Sequence, residues 1–464
     1  MPGFNAGSPW ENDLLKRWIK LALAAVAALA LTGCVILGDK LDQFRWTFMT
    51  LPLYVFDNVP GYKPVPEPPV MDEGVNVAIA ISGGGSRSAV FSSAVLEQLA
   101  YIPDPRHPGR TLLDGVDVIS AVSGGSLSAA YFSTYKPADF SNQDVNVEFF
   151  QRYKSNMTTD FHMRGVAHYL THPWEAVSKY YTRYRFVQTL GETFDQHIFK
   201  GNTFGYLHDR EIAGEAPVTI INATSMDTGK RFIFSNLNVQ QNWAFDPASL
   251  VGNLSRVAPA SDRAGMTLLA QTMAQPIFQP FGFDAINSDI GAFRVAHAVA
   301  SSCAYPVIPG PSALVNYAQT GYIHLADGGV NDNSGIDSAV GLYMGHLAKS
   351  GKRKRLVVLA VNVASQMEPK KTENPNGYVS SIDYIDRASS TLGTRAQTLA
   401  TVMYNAPHSV NIIPINLTDA SYHKQLDSGA TMLAISERDA LTLINAGVEL
   451  VSRNRDRIVS AVKP

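Results

Sequence analysis

The 464-residue chain has little of several things. It has two cysteines, Cys34 and Cys303, in unlike surroundings. Two cysteines cannot supply a disulfide framework or a Cys-rich zinc site. It has no charge excess: 38 Lys and Arg stand against 40 Asp and Glu, a formal net charge of −2. No chain-wide basic field exists to hold nucleic acid. No HExxH or comparable cluster argues for a metal. No internal repeat is visible, and no Walker loop, because Gly-Lys-Ser/Thr is missing after the glycine-rich turn at Gly83. The Gly-x-Gly-x-x-Gly dinucleotide spacing is missing as well. What remains is ordinary globular material, 45% hydrophobic, enough for a sizeable core and too apolar for general disorder.

The first forty residues read as an address. Lys16, Arg17 and Lys20 precede an uncharged Leu/Ala/Val run over 21–31, which then meets Leu31-Thr32-Gly33-Cys34. A basic region, a short apolar region and small residues are the grammar of a secretory signal. Leu, two small residues and Cys resemble the bacterial lipobox. That resemblance implies cleavage after residue 33, a lipid on Cys34, and, with Val35 rather than Asp next, transit to the outer membrane of a bacterial envelope. The other reading is an uncleaved anchor in the inner membrane. The apolar stretch 21–37 is shorter than the ~20 residues that span a bilayer comfortably. Residues 34–72 read as a tether, aromatic at its start and then crowded with Pro60, Pro64, Pro66, Pro68 and Pro69. Such a stretch is semi-rigid and extended, a spacer between lipid and body.

The body opens with a β-branched run, 75–81, a Ser82-Gly83-Gly84-Gly85-Ser86-Arg87 loop and a helical pattern carrying Val90, Phe91, Val95 and Leu99. Bare backbone N–H groups at a helix N-terminus form an anion site, for a phosphate or for the oxyanion of a tetrahedral intermediate. The plainer reading is a tight turn, for which three adjacent glycines are entropically wasteful. The pattern repeats at 116–122, a strand that runs into Ser123-Gly124-Gly125 and another helix. This resembles a nucleophile elbow read as Ala121-x-Ser123-x-Gly125, in which small neighbours allow the strained turn. A third piece, Tyr322 to Asp327 followed by Gly328-Gly329, places Asp327 at a strand's C-terminal edge, where open α/β sheets bind ligands. Alone, Asp-Gly-Gly reads as a β-turn.

Together these pieces resemble the patatin-like phospholipase family over roughly residues 73–365, with motif detail closer to its cytosolic phospholipase A branch. Gly83-Gly84-Gly85-Ser86-Arg87 matches the family's oxyanion loop, Val122-Ser123-Gly124-Gly125-Ser126 its nucleophile turn, and Asp327-Gly328-Gly329 its catalytic aspartate. Asn222-Ala223-Thr224 through Lys230, with Phe232 and Phe234, matches a central hairpin. Ala300-Ser301-Ser302-Cys303-Ala304-Tyr305-Pro306 matches a small-residue segment. The resemblance implies an α/β three-layer fold, a mostly parallel central sheet with helices on both faces. It implies a serine lipid acyl hydrolase with Ser123 as nucleophile and Asp327 as proton acceptor. Gly83, Gly84 and Gly85 would form the oxyanion hole, with no cofactor and no metal. Arg87 would meet a substrate phosphate or pair with a carboxylate. The partners implied are a phospholipid or other lipid ester and a membrane surface.

Several points stay open at this level. His324, His297, His408 and His423 are candidate bases for a conventional triad, although none has a motif around it. Cys303 lies among small apolar residues and reads as buried and inert. Residues 142–206, rich in Phe, Tyr and Trp, read as an insertion that is either a lipid-facing cap or ordinary packing. Residues 366–464 read as a helical part packed on the core, with 382–404 and 440–462 as its helices. A general carboxylesterase or thioesterase, or a non-catalytic lipoprotein that binds acyl chains, would share much of this pattern; intact Ser123 and Asp327 argue against the last. For the N-terminus the expected outcome is direct: labelled fatty acid incorporates into the wild-type chain in bacterial cells and not into Cys34→Ser. Equal labelling of both would remove the lipoprotein reading.

Overall fold

The computed structural model describes residues 55–161, 164, 185–248, 250–252, 259–305, 310–350, 352–363, 403–405, 409–421, 423 and 434–464. Apart from Arg185 these fall in one compact unit, Val55–Ala167 with Phe186–Pro464; the other unit, Met1–Tyr54 with His168–Arg185, is otherwise outside the description. Cys34, the signal-like run and His408 therefore lie outside the described residues. No helix among the described residues is long and apolar enough to cross a membrane.

Eleven strands are described: β1 (Val59–Pro60), β2 (Val75–Ile81), β3 (Val118–Val122), β4 (Val218–Ser225), β5 (Arg231–Phe234), β6 (Phe281–Gly282), β7 (Ser288–Asp289), β8 (Ser312–Val315), β9 (Tyr322–Asp327), β10 (Arg355–Asn362) and β11 (Val410–Asn416). Among the described residues nine of them form one sheet. Its parallel heart runs β11-β10-β2-β3-β4. The near-continuous apolar runs in β2, β3 and β10 follow from burial on both faces. Alternation sends Ala78 and Ala80 of β2 into a core cluster with helix residues Ile336, Ala339, Val340 and Tyr343, and sends Val77, Ile79 and Ile81 to the opposite face. The fold is thus the expected three-layer α/β arrangement.

Six helices matter to the site: α1 (Gly85–Leu99), α2 (Gly124–Tyr135), α3 (Gln143–Met157), α4 (Val295–Ser302), α5 (Ile336–Ser350) and α6 (Glu437–Val462). Helix α5 packs on β2, β3 and β10, while α6 and α2 pack on α1. Helix α3 begins at Asn142, whose side chain caps the N–H groups of Asp144 and Val145. It lays Phe149 and Tyr153 against Tyr131 and Phe132 of α2. The Tyr153 hydroxyl meets Ser128, 2.5 Å from its Oγ and 2.8 Å from its carbonyl. This part of the aromatic segment is packing for the helix that follows Ser123.

The structure corrects two expectations. First, the Pro-rich run is docked, at least from residue 55, and does not stand clear as a spacer. Phe56 stacks on His297 with ring centroids 4.4 Å apart, β1 pairs with β7, Glu67 accepts from Asn238 and Asn242, and Val70 and Met71 are buried. Apolar anchors at each end outweigh the tendency of prolines to stay solvated. Second, the C-terminal part is not only helical. It supplies β11, an edge strand parallel to β10, so the sheet continues past residue 365. Pro414 inside the run disguises it, yet proline is tolerated at a sheet edge. β9 joins the same sheet antiparallel to β4.

Close packing of α6 on α1 rests on Gly447, where an added Cβ would lie 2.8 Å from the Ala94 Cβ and 3.2 Å from the Val95 nitrogen. Gly447→Leu should therefore lower unfolding stability by ~1–3 kcal/mol, read from chemical denaturation, although glycine is itself a poor helix former.

Candidate active site

The site is built where three segments converge. β3 runs into Ser123, which takes φ 52°, ψ −129° before α2 begins at Gly124. A non-glycine residue at positive φ is unusual and holds its side chain clear of both neighbouring elements. The turn works only because Gly124 carries no side chain: an added Cβ would sit 1.9 Å from the Gly85 carbonyl oxygen. The start of the nucleophile helix thus presses directly on the glycine loop.

β3 and β9 share one edge of β4. Val122 pairs with Asn222, and the next β4 residue, Ala223, pairs with Asp327. Because β5 occupies the other edge of β4 over Ile221–Thr224, the ends of β3 and β9 meet head to head. Ser123 and Asp327 are brought together in this way, not by emerging side by side from parallel strands. The Ser123 side chain is near enough to the Asp327 carboxylate to favour its charged form. The Asp327 Oδ1 accepts the Gly329 N–H at 2.7 Å. Its backbone is held from both directions: its N–H donates to the Ala304 carbonyl at 2.8 Å and its carbonyl accepts from the Thr224 hydroxyl at 2.9 Å.

Burial dominates the electrostatics. Desolvation pushes the Asp327 carboxyl up to about 6, against the opposing pull of the Ser123 side chain and the Gly329 N–H. The Cys303 thiol is pushed up by burial and then by the Asp327 charge, with the Ser123 and Ser126 hydroxyls pulling the other way. It stays a neutral thiol beside the serine and does not compete as a nucleophile.

The glycine loop divides. Gly83 donates its N–H to the Asn333 carbonyl at 3.0 Å, so it is already satisfied. This corrects the expectation of three oxyanion donors. Gly84, at φ 139°, and Gly85, first residue of α1, keep N–H groups without a partner among the described residues. Gly84 must be glycine on two grounds, its φ and the 2.4 Å approach an added Cβ would make to Val363. Arg87, on the first turn of α1, is largely buried; desolvation lowers its pKa and the Asp439 carboxylate on α6 counteracts this. Its Nε is buried without a partner in the described structure.

The histidines belong elsewhere. His324 hydrogen-bonds Asp227 through Nδ1 at 3.0 Å. His297 is buried between Phe56 and Phe293, and desolvation lowers it to about 4. His423 contacts the Ala420 carbonyl. Among the described residues no histidine bonds Ser123. The sequence reading missed two contributors. Ser302 accepts the Ser123 N–H at 2.8 Å. Asn333 sets its amide against the glycine loop, its Oδ1 2.3 Å from where a Gly83 Cβ would stand. No local signal marks either role, since both arise from long-range pairing.

The profile of the family described as patatin-like phospholipase matches residues 79–340, more than half of the chain, and the protein belongs to that family. No curated protein matches the sequence. Among solved structures, human GIVD cytosolic phospholipase A2 is similar at 12% identity and a TM-score of 0.41, over 84% of this chain and 63% of that one. The same human enzyme in complex with methyl gamma-linolenyl fluorophosphonate is similar at 13% identity and a TM-score of 0.42, over 84% and 59%. VipD from Legionella pneumophila is similar at 10% identity and a TM-score of 0.28, over 88% and 72%. The chain spans about three-fifths of the length of the human chains.

The raised carboxyl has a consequence for stability. A folded-state pKa of about 6 against an ordinary value of 3.8 means that the folded protein holds the proton more tightly than the unfolded chain. The stabilisation is complete below the unfolded value and is lost as pH rises through the folded one, so ionised Asp327 costs ~3 kcal/mol at neutral pH. Asp327→Asn should therefore be more thermostable than the wild type at pH 8, with the advantage shrinking toward pH 4.5 in thermal unfolding scans.

Proposed function

We propose that the protein is a lipid acyl hydrolase of phospholipase A type that cleaves carboxylic esters through a Ser123-Asp327 dyad. The observation that carries this reading is a serine at a strained strand-to-helix turn that abuts the strand end carrying a buried carboxylate, with no histidine bonded to the serine among the described residues. The Ser123 hydroxyl attacks the ester carbonyl carbon while its proton passes to Asp327. The carbonyl oxygen becomes an oxyanion held by the Gly84 and Gly85 N–H groups at the α1 N-terminus. Collapse breaks the bond to the leaving alcohol, which takes the proton from Asp327 and leaves an acyl-Ser123 ester. Water, deprotonated by Asp327, then attacks that ester, releasing the fatty acid and restoring the serine.

A carboxylate is ordinarily too weak a base for this work. Burial raises it to about 6, close enough to neutral pH to accept a proton while remaining ionised at pH 7. The substrate class, phospholipid or another lipid ester, is supported by membership of the patatin-like phospholipase family. The N-terminal lipobox-like run supports placement at a bacterial envelope membrane, held by lipid on Cys34. The lipid anchor and the lipid substrate then share one surface.

Purified protein should hydrolyse long-chain phospholipid vesicles faster than short soluble esters. Ser123→Ala and Asp327→Asn should each lose at least ~10³-fold in turnover, because the two groups act as a unit. For the wild type, kcat/KM should be flat above pH 7 and fall about tenfold per pH unit below about 6, since only ionised Asp327 is a base. Full activity in Asp327→Asn would remove the dyad. Preference for short esters over vesicles would remove the lipid assignment.

A further inference from the structure

The dyad is assembled from strand ends far apart in the chain, and the β4 edge alone does not fix the rotation of the Ser123 turn. We infer that Ser302 is the positioning residue that fixes it. The inference rests on the dyad reading and adds to it a residue outside the reacting atoms.

Ser302 ends α4 and is fully buried. Its Oγ accepts the Ser123 N–H at 2.8 Å, and its own proton goes to the Asn222 carbonyl at 2.6 Å. Donor and acceptor capacity are both in use, so the hydroxyl is a bridge and not a second nucleophile. Asn222 is the β4 residue opposite Val122, immediately before the one opposite Asp327. The bridge therefore stands at the junction of the two strands. Ser123 follows the last ladder residue of β3, and the acceptor of its N–H is a side chain and not a strand carbonyl. Ser302 supplies the acceptor that the ladder no longer gives.

The same helix end holds the other half of the dyad. Two residues on, the Ala304 carbonyl accepts the Asp327 N–H at 2.8 Å. Between them lies the buried Cys303. A third tie, Ser312 Oγ to Ser301 Oγ at 2.9 Å, fastens this helix end to β8, which pairs with β9. The C-terminus of α4 is thus one rigid piece that sets both Ser123 and Asp327. Without the Ser302 hydroxyl, the Ser123 N–H and the Asn222 carbonyl lose a buried partner, and the turn is free to relax toward ordinary φ. A displacement of about 1 Å at a reacting atom is enough to lose ~10²-fold in rate.

The test uses the full-length protein, a soluble p-nitrophenyl ester and an alkyl fluorophosphonate that phosphonylates the nucleophile. In Ser302→Ala, kcat and the phosphonylation rate constant at Ser123 should both fall about 10²-fold per folded molecule, with KM within a few-fold of wild type. Ser302→Cys keeps the volume and a weak donor and acceptor, and should fall between alanine and wild type. Folded fraction is set by near-ultraviolet circular dichroism, so a loss that merely tracks unfolding is separated from a loss per site. Wild-type phosphonylation and kcat per folded Ser302→Ala molecule would overturn the inference. If the alanine variant does not fold, a wild-type rate in Ser302→Cys would overturn it equally, and an intermediate rate would support it. Failure of the wild-type protein to label at Ser123 would instead overturn the dyad reading.

Discussion

The constraint on which the site depends is the shared edge of β4. One strand edge cannot pair with two strands at the same residues, so β3 stops at Val122 and β9 ends at Asp327 on adjoining positions. This abutment sets where the serine turn begins and where the carboxylate points. It also explains the crowding of small residues around the junction. Gly328 lies so close to β4 that a Cβ there would stand 2.4 Å from the Asn222 carbonyl oxygen. The strands can meet end to end only if the chain beyond each end leaves at once, one as α2 and the other as the Gly328–Val330 turn.

The same junction is dry, and dryness gives Asp327 its use. Removing water from a carboxylate disfavours its charge, which destabilises the fold and makes the group a better proton acceptor. The Ser123 side chain and the Gly329 N–H keep the penalty within bounds. Cys303 answers the same field differently: next to a carboxylate and without water, a thiol has every reason to keep its proton. Burial raises both groups, and at Cys303 the Asp327 charge adds to it.

The local parts of this site are legible in the sequence and the long-range parts are not. Strand, small-residue turn and helix follow one another within about a dozen residues around Gly84 and Ser123, and such patterns report themselves. Asp327 is legible only as a member of a set, because Asp-Gly-Gly is also an ordinary turn. The direction of β9 is not legible: a six-residue run looks the same pointing either way, and its partner lies about a hundred residues upstream. The occupied N–H of Gly83 is hidden for the same reason, since its acceptor is Asn333. β11 is disguised by Pro414, and the docking of the Pro-rich run by the fact that its anchors, Phe56 and Met71, stand at its ends.

Arg87 shows how far the site extends. It sits on the first turn of the helix whose N-terminus faces Ser123, and its guanidinium is largely desolvated. A cation so close to an oxyanion donor loop would be expected to serve the substrate, yet the carboxylate that offsets its burial is Asp439, on the last helix of the chain. Asp439 is itself fixed, its N–H capped by Ser436 as α6 begins. From there α6 runs down the length of α1 and seats Gly447 on Ala94. The orientation of the oxyanion helix is therefore set by the C-terminal helix as well as by the sheet beneath it. Residues far beyond the Asp-Gly-Gly motif belong to the catalytic body, because a helix that must aim its N–H groups needs a support on its solvent side as firm as the one on its core side.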